Sequence, residues 1–199
     1  MTKREVTRKG FPVICLFSVV VFLCAIFVAA GMVMPRPAIA ETAAELDRDV
    51  DSALLKLYAS TPAAKELSKV AKGILVFPDI VKAGLIVGGQ YGTGALREGG
   101  KTVGYYNTVA GSFGLQAGAQ KFGYAMFFLT QSALDYLKES AGWEIGVGPS
   151  VVVVDAGLAS SLTTTTAKEE IYAFFFSQKG LMAGLGLQGS KISKITPDK

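Results

Sequence analysis

The sequence predicts an α+β fold: a glycine-rich, strongly coiled, mostly antiparallel sheet or small barrel with N-terminal helices packed on it. Three observations lead there. A charged and then apolar leader occupies the first 40 residues. Two stretches with helical apolar spacing follow it, between Glu41 and Lys72. From Gly73 onward, glycines recur inside runs of Val, Ile, Leu, Phe and Tyr that are punctuated as strands are.

The leader comes first. Lys3, Arg4, Arg8 and Lys9 precede the uncharged stretch Phe11 to Met34, and Ala38-Ile39-Ala40 offers a small-x-small cleavage site before Glu41. The expected organisation is therefore an export signal over 1–40 and one domain over 41–199. The apolar stretch is also long enough to span a bilayer, so retention as an anchor stays open beside cleavage. Either way the domain is expected outside the cytoplasm, in the periplasm or cell envelope and peripherally associated with a membrane. Five of the chain's 20 basic residues and one of its 16 acidic residues belong to the leader, leaving fifteen of each in the domain. The surplus of Lys and Arg that a nucleic-acid partner requires is then absent. Cys15 and Cys24 also belong to the leader, so the domain can form no disulfide.

Within the domain, Leu46, Val50, Ala53, Leu54 and Leu57 repeat at helical spacing from Glu41 to Tyr58, with Glu45, Asp47, Asp49 and Asp51 on the other face. The three aspartates alternate along a helix and are read as a solvated face. Thr61 and Pro62 suit the cap and first position of a second helix, and Gly73 suits its stop. Leu67, Val70 and Ala71 are expected to face inward, while Lys65, Lys69 and Lys72 form a basic stripe elsewhere.

The strand region is expected to run as follows. Ile74 to Phe77 is a short strand closed by Pro78. Gly84 to Arg97 is a longer one, Glu98-Gly99-Gly100-Lys101 a hairpin turn, Thr102 to Gly114 its return and Leu115 to Leu129 a continuation. Gln131 to Ser140 reads as a helix, Glu144 to Asp155 and Ile171 to Ser177 as strands, and Gln178-Lys179-Gly180 as a turn into Leu181 to Ile195. Thr163 to Thr166 suits an edge strand or the entry to the next element, with a headgroup-binding hydroxyl cluster as the functional alternative. Glycine inside strands costs backbone entropy, and its recurrence points to tight bends and close backbone crossings. A membrane-spanning barrel needs several regular strands of about ten residues, and the strands here are too few and too uneven. Gly114-Leu115-Gln116-Ala117-Gly118 and Gly186-Leu187-Gln188-Gly189 share a Gly-Leu-Gln core, read as equivalent strand positions.

The chemistry this composition excludes is extensive. The chain has no histidine, which removes histidine acid–base catalysis, histidine triads and most metal sites. Without domain cysteines, thiol nucleophiles go as well. Gly184-Leu185-Gly186-Leu187-Gln188-Gly189 fits G-x-G-x-x-G by letter, but Ser190 to Ile195 alternates like a strand where that motif must open a helix. The expected roster of catalytic residues, metal ligands and cofactors is therefore empty, and the protein is expected not to be an enzyme.

Several ordered segments carry a resemblance. They are Ala71-Lys72-Gly73-Ile74-Leu75-Val76-Phe77-Pro78, Ala83 to Gly89, Gly114 to Gly118, Trp143 to Ser150, Tyr172 to Phe176 and Gln178 to Gly184. Over about Ala43 to Ile195 the chain resembles the SYLF-domain lipid-binding family, in its exported single-domain bacterial branch. The resemblance implies a non-catalytic phospholipid-binding module, with a phospholipid membrane surface as partner. It also directs attention to the N-terminal helical region for membrane contact. Lys65, Lys69 and Lys72 are the candidate headgroup residues there, since each lysine near an anionic surface contributes about 1 kcal/mol. Phe122, Tyr124, Met126, Phe127 and Phe128 are a candidate apolar contact, read foremost as core. A structural or interaction module holding another envelope protein is the competing reading, and an enzyme working through carboxylates ranks last.

Overall fold

A computed structural model describes residues 41–180, 187 and 189–198. The leader with its two cysteines lies outside the described residues, as does most of the Gly184–Gly189 motif and its Gly-Leu-Gln copy.

Helix α1 spans Ala43–Ser60. Thr42 and Glu45 start it as a capping box: the Thr42 hydroxyl accepts the Glu45 N–H at 3.3 Å, and the Glu45 carboxylate accepts the Thr42 N–H at 3.1 Å. Leu46, Val50, Ala53 and Leu57 are buried, as their spacing requires. Helix α2 is shorter than expected, Pro62–Ser68. The Ser68 hydroxyl donates to the Lys65 carbonyl at 2.8 Å, and the Lys69 N–H turns back to the Glu66 carbonyl. Both bonds tighten the last turn and end the helix before Gly73. Val70, expected inside, consequently stands 42% exposed.

Strands β1 (Gly73–Glu98) and β2 (Lys101–Phe128) form one long antiparallel hairpin. Gly99 (φ 55°) and Gly100 (φ 80°) make the turn between them, a left-handed pair that matches the twist of the flanking strands. Pro78 does not close a strand. The register slips between Phe77 and Ile80, so the proline sits in an irregularity where no N–H is needed. A second slip, between Leu85 and Val87, interrupts the ribbon at mid-length. The ribbon's two halves meet inside the curl: Gly94 lies against the Val76 carbonyl and the Phe77 ring, and the Tyr124 hydroxyl donates to Thr108 Oγ1 at 3.1 Å. A side chain at 94 would hold the halves apart.

One edge of β2 is taken by β1 throughout. The other edge is shared. Helix α3 (Gln131–Glu139) and strands β3 (Trp143–Glu144) and β4 (Val151–Val154) follow β2 in the chain, then helix α4 (Ala156–Ser161), β5 (Ile171–Gly180) and β6 (Lys191–Ile195). Strand β6 pairs with Tyr105–Val109 and carries β3; β5 pairs with Gln120–Phe128 and carries β4. The pairings are antiparallel except β4–β5, which is parallel. The sheet curls strongly into a half-barrel, so the expected α+β fold holds in its open rather than closed form.

Three expectations are corrected. Glu144 to Asp155 is not one strand, because Gly146 (φ 109°) and Gly148 (φ 90°) turn the backbone between β3 and β4. Gln178 to Gly180 is not a turn; Lys179 and Gly180 pair with Lys121 and Gln120 and extend β5. Thr163 to Thr166 is a local turn, with the Thr166 hydroxyl accepting the Thr163 N–H at 2.8 Å.

Apolar side chains on successive strand residues enter two cores. Leu75, Phe77, Tyr124, Met126 and Phe128 pack inside the curl with Leu134 and Leu137 of α3 and with Trp143. Val76, Ala125, Phe127, Phe174 and Phe176 pack on the other face under Leu46, Val50, Leu57 and Leu67 of the first two helices. Burial on both faces explains why these strands read as continuous apolar runs. Among the described residues both cores are complete within the compact unit Ala40–Lys199, which therefore has what a chain needs to fold by itself.

Candidate functional site

The three expected lysines are all exposed, but no helical stripe carries them. Lys65 lies on α2, Lys69 caps its end, and Lys72 sits in the bend into β1, where its N–H donates to the Phe128 carbonyl at 2.8 Å. Early termination of α2 separates them. Lys69 Nζ is held by both carboxylate oxygens of Glu66, at 2.6 and 2.7 Å.

Lys69 also lines a cleft of about 470 Å³ between α1, the end of α2 and the hairpin tip. Leu54, Ala71 and Ile74 supply apolar wall, and Asp51, Tyr58, Ser68, Lys69 and Arg97 supply polar groups. Lys65 and Lys72 do not line it. Arg97 was not singled out by the sequence, yet it organises the tip. Its side chain is only 11% exposed. Nη2 donates to an Asp51 carboxylate oxygen at 2.7 Å and to the Asp47 carbonyl at 3.0 Å, while Nε is buried without a hydrogen-bond partner among the described residues.

The aspartates of α1 are thus more than a solvated face. Asp47 and Asp51 stand one turn apart and share a side, and both reach Arg97. Asp47 also accepts hydrogen bonds from Thr102 Oγ1 at 2.7 Å and Tyr105 Oη at 3.2 Å. That i, i+4 acidic pair opposite an arginine beside a hairpin turn was the available signal. Burial raises the Tyr58 hydroxyl above its ordinary pKa, with a Ser68 hydrogen bond opposing. Burial, and then the charge of Asp47, raises Tyr105 as well. Both phenols are therefore neutral donors at pH 7. The cleft thus sets an apolar wall beside two cations, each paired with a carboxylate, and neutral hydroxyls.

The remaining candidates resolve plainly. Phe122, Tyr124, Met126, Phe127 and Phe128 are all buried in the cores. The hydroxyls of Thr163 and Thr166 lie 3.2 Å apart and serve their own turn. Among the described residues, no group of three or more His, Cys, Asp or Glu is placed to hold a metal ion, and no helix is long and apolar enough to cross a membrane.

A curled half-barrel with a cleft beside its first helix makes this an α+β domain. Residues 109–197 match the model of the Ysc84 family, described as Las17-binding protein actin regulator. Over that segment the chain is similar to the Ysc84, or SYLF, family, which is associated with lipid and actin-regulator binding. The match begins inside β2 and ends just beyond β6. A comparison with curated proteins finds no match.

Proposed function

We propose that this chain is an exported, non-catalytic phospholipid-binding protein that works at a bacterial envelope membrane. The observation that carries the reading is the cleft at the hairpin tip, where Lys69 and Arg97 stand over the wall formed by Leu54, Ala71 and Ile74. A phospholipid combines the same two characters, an anionic phosphate and apolar chains. The association of the family with lipid binding and the export-type leader support the reading. Actin regulation is not carried over, because a leader of that type directs the domain away from the cytoplasm.

The test is co-sedimentation of residues 41–199 with phosphatidylglycerol and phosphatidylcholine vesicles at low and high salt. Binding is expected to require the anionic lipid and to fall with salt. Lys69→Ala is expected to weaken it about fivefold, the equivalent of about 1 kcal/mol, and Lys65→Ala and Lys72→Ala less. Absence of binding under every condition overturns the reading. A protein-interaction module then takes its place, favoured by the exposed cross-strand pair Tyr91 and Val109 and the nearby exposed Val87.

A further inference from the structure

A second cleft lies on the other side of α1, against the β2–β5 pair. It encloses about 240 Å³ and gathers Lys56 and Asp49 from α1, Asp79 from β1, Lys121 from β2, and Ser177 and Lys179 from β5. Its lining is chiefly polar and carries both signs of charge.

Two unfavourable features coincide there. Lys121 and Lys179 are direct cross-strand partners, a like-charge pairing that antiparallel sheets ordinarily avoid. A β-bulge produces that pairing. Gly123 faces Phe176, so an unbroken register would set Gln178 opposite Lys121; the slip between Lys121 and Gly123 sets Lys179 there instead. Ser177 lies within the slip with φ 54°, the left-handed conformation that such bulges normally give to glycine. The fold therefore holds a strained residue at the bulge that brings two ammonium groups together in one cleft. Lys121 is paired with Asp79 at 2.9 Å, whereas the side chains of Lys56, Lys179 and Asp49 make no hydrogen bond or ion pair among the described residues.

We propose that this cleft binds a zwitterionic phosphate ester of the phosphoethanolamine class. The lysines hold the phosphate, and Asp49 and Asp79 hold the primary ammonium. A bare anion would leave the aspartates opposed to it. A ligand with both charges satisfies both sets and relieves the lysine pair. The inference does not rest on the lipid reading of the hairpin-tip cleft, and either can fail alone.

The test titrates residues 41–199 with glycerophosphoethanolamine, which has the headgroup and no acyl chains, and separately with inorganic phosphate. Backbone amide shifts and calorimetry are the readouts. The expected result is saturable shifts at Lys121, Ser177 and Lys179, with phosphate binding more weakly. Lys179→Gln is expected to cost about tenfold in affinity for both probes. Asp49→Asn should weaken glycerophosphoethanolamine and leave phosphate unchanged or tighter. Both substitutions are at exposed positions, and unchanged unfolding midpoints verify that the fold is kept. Equal affinity for the two probes together with indifference to Asp49→Asn overturns the zwitterion assignment, and absence of saturable shifts overturns the site. Sedimentation with phosphatidylethanolamine vesicles then identifies the source of the group. Loss in Lys179→Gln assigns the site to a lipid headgroup, and retention beside lost glycerophosphoethanolamine binding assigns it to a free ester.

Discussion

Replacing Gly94 with alanine tests the crossing that makes the ribbon a half-barrel. An added Cβ would press on the Val76 carbonyl and stand 2.7 Å from Phe77 Cδ1 and 3.0 Å from its Cγ. Neither neighbour can retreat. The carbonyl is backbone within β1, and the Phe77 ring is fully buried against Tyr124 with centroids 4.9 Å apart. Overpacking of this kind costs about 1–3 kcal/mol, while replacing glycine by alanine returns about 0.4–1 kcal/mol through the unfolded chain. The net loss expected is about 1.3 kcal/mol, or a Tm lower by about 3–5 °C for a domain of this size. Gly111→Ala is the matched control. Gly111 is exposed on β2, and its added Cβ would meet nothing within 4 Å, so that variant should gain about 0.5 kcal/mol. Urea unfolding of residues 41–199 can be followed by Trp143, the only tryptophan, which is 1% exposed and packed on Phe128 and Tyr136. Equal stability of the two variants would refute the close crossing.

Other substitutions probe the elements around the two clefts. Arg97→Met should cost about 1–2 kcal/mol by releasing the hairpin tip from α1, and Asp51→Ala under about 1 kcal/mol because that carboxylate is largely exposed; denaturation midpoints and amide exchange at residues 97–102 check both. Thr42→Ala removes the cap of α1 and should cost about 1 kcal/mol in the same unfolding assay. The Thr42 backbone N–H, then its hydroxyl, hold the Glu45 carboxyl below its ordinary pKa. That contribution is complete above the unfolded pKa of about 4.3 and is lost as pH falls through the lower folded value. Helical circular dichroism should therefore decline at acid pH less steeply in Glu45→Gln than in the parent. Ser177→Gly keeps the bulge and removes the left-handed penalty, so it should stabilise the domain by about 0.5 kcal/mol; a loss would show that the hydroxyl contributes to the fold.

Local rules made α1 legible, because Leu46, Val50 and Leu57 bury a face that depends only on helical spacing. The hairpin turn was legible for the same kind of reason: a two-residue turn needs positive φ at both positions, which Gly99 and Gly100 adopt without strain. Pro78 misled because a register slip, set by the partner strand, can absorb a proline without ending the strand. Lys179 misled in the opposite sense. Gln-Lys-Gly looks like a turn until β2 is there to pair with it. Lys65, Lys69 and Lys72 were read as a stripe on the premise that α2 continued, which the Ser68 hydroxyl prevents. The second cleft could not be read at all. Lys56, Lys121 and Lys179 are far apart in sequence, and the bulge that aligns two of them depends on tertiary pairing.

The seam where Thr42 bridges Asp198, with the Ala43 N–H donating to the Asp198 carbonyl at 3.2 Å, lets the chain enter and leave the fold at one place. A polypeptide of this form can be spliced into a surface loop of a carrier protein without forcing that loop's ends apart. It can equally be joined end to end by a short linker and reopened at another exposed loop.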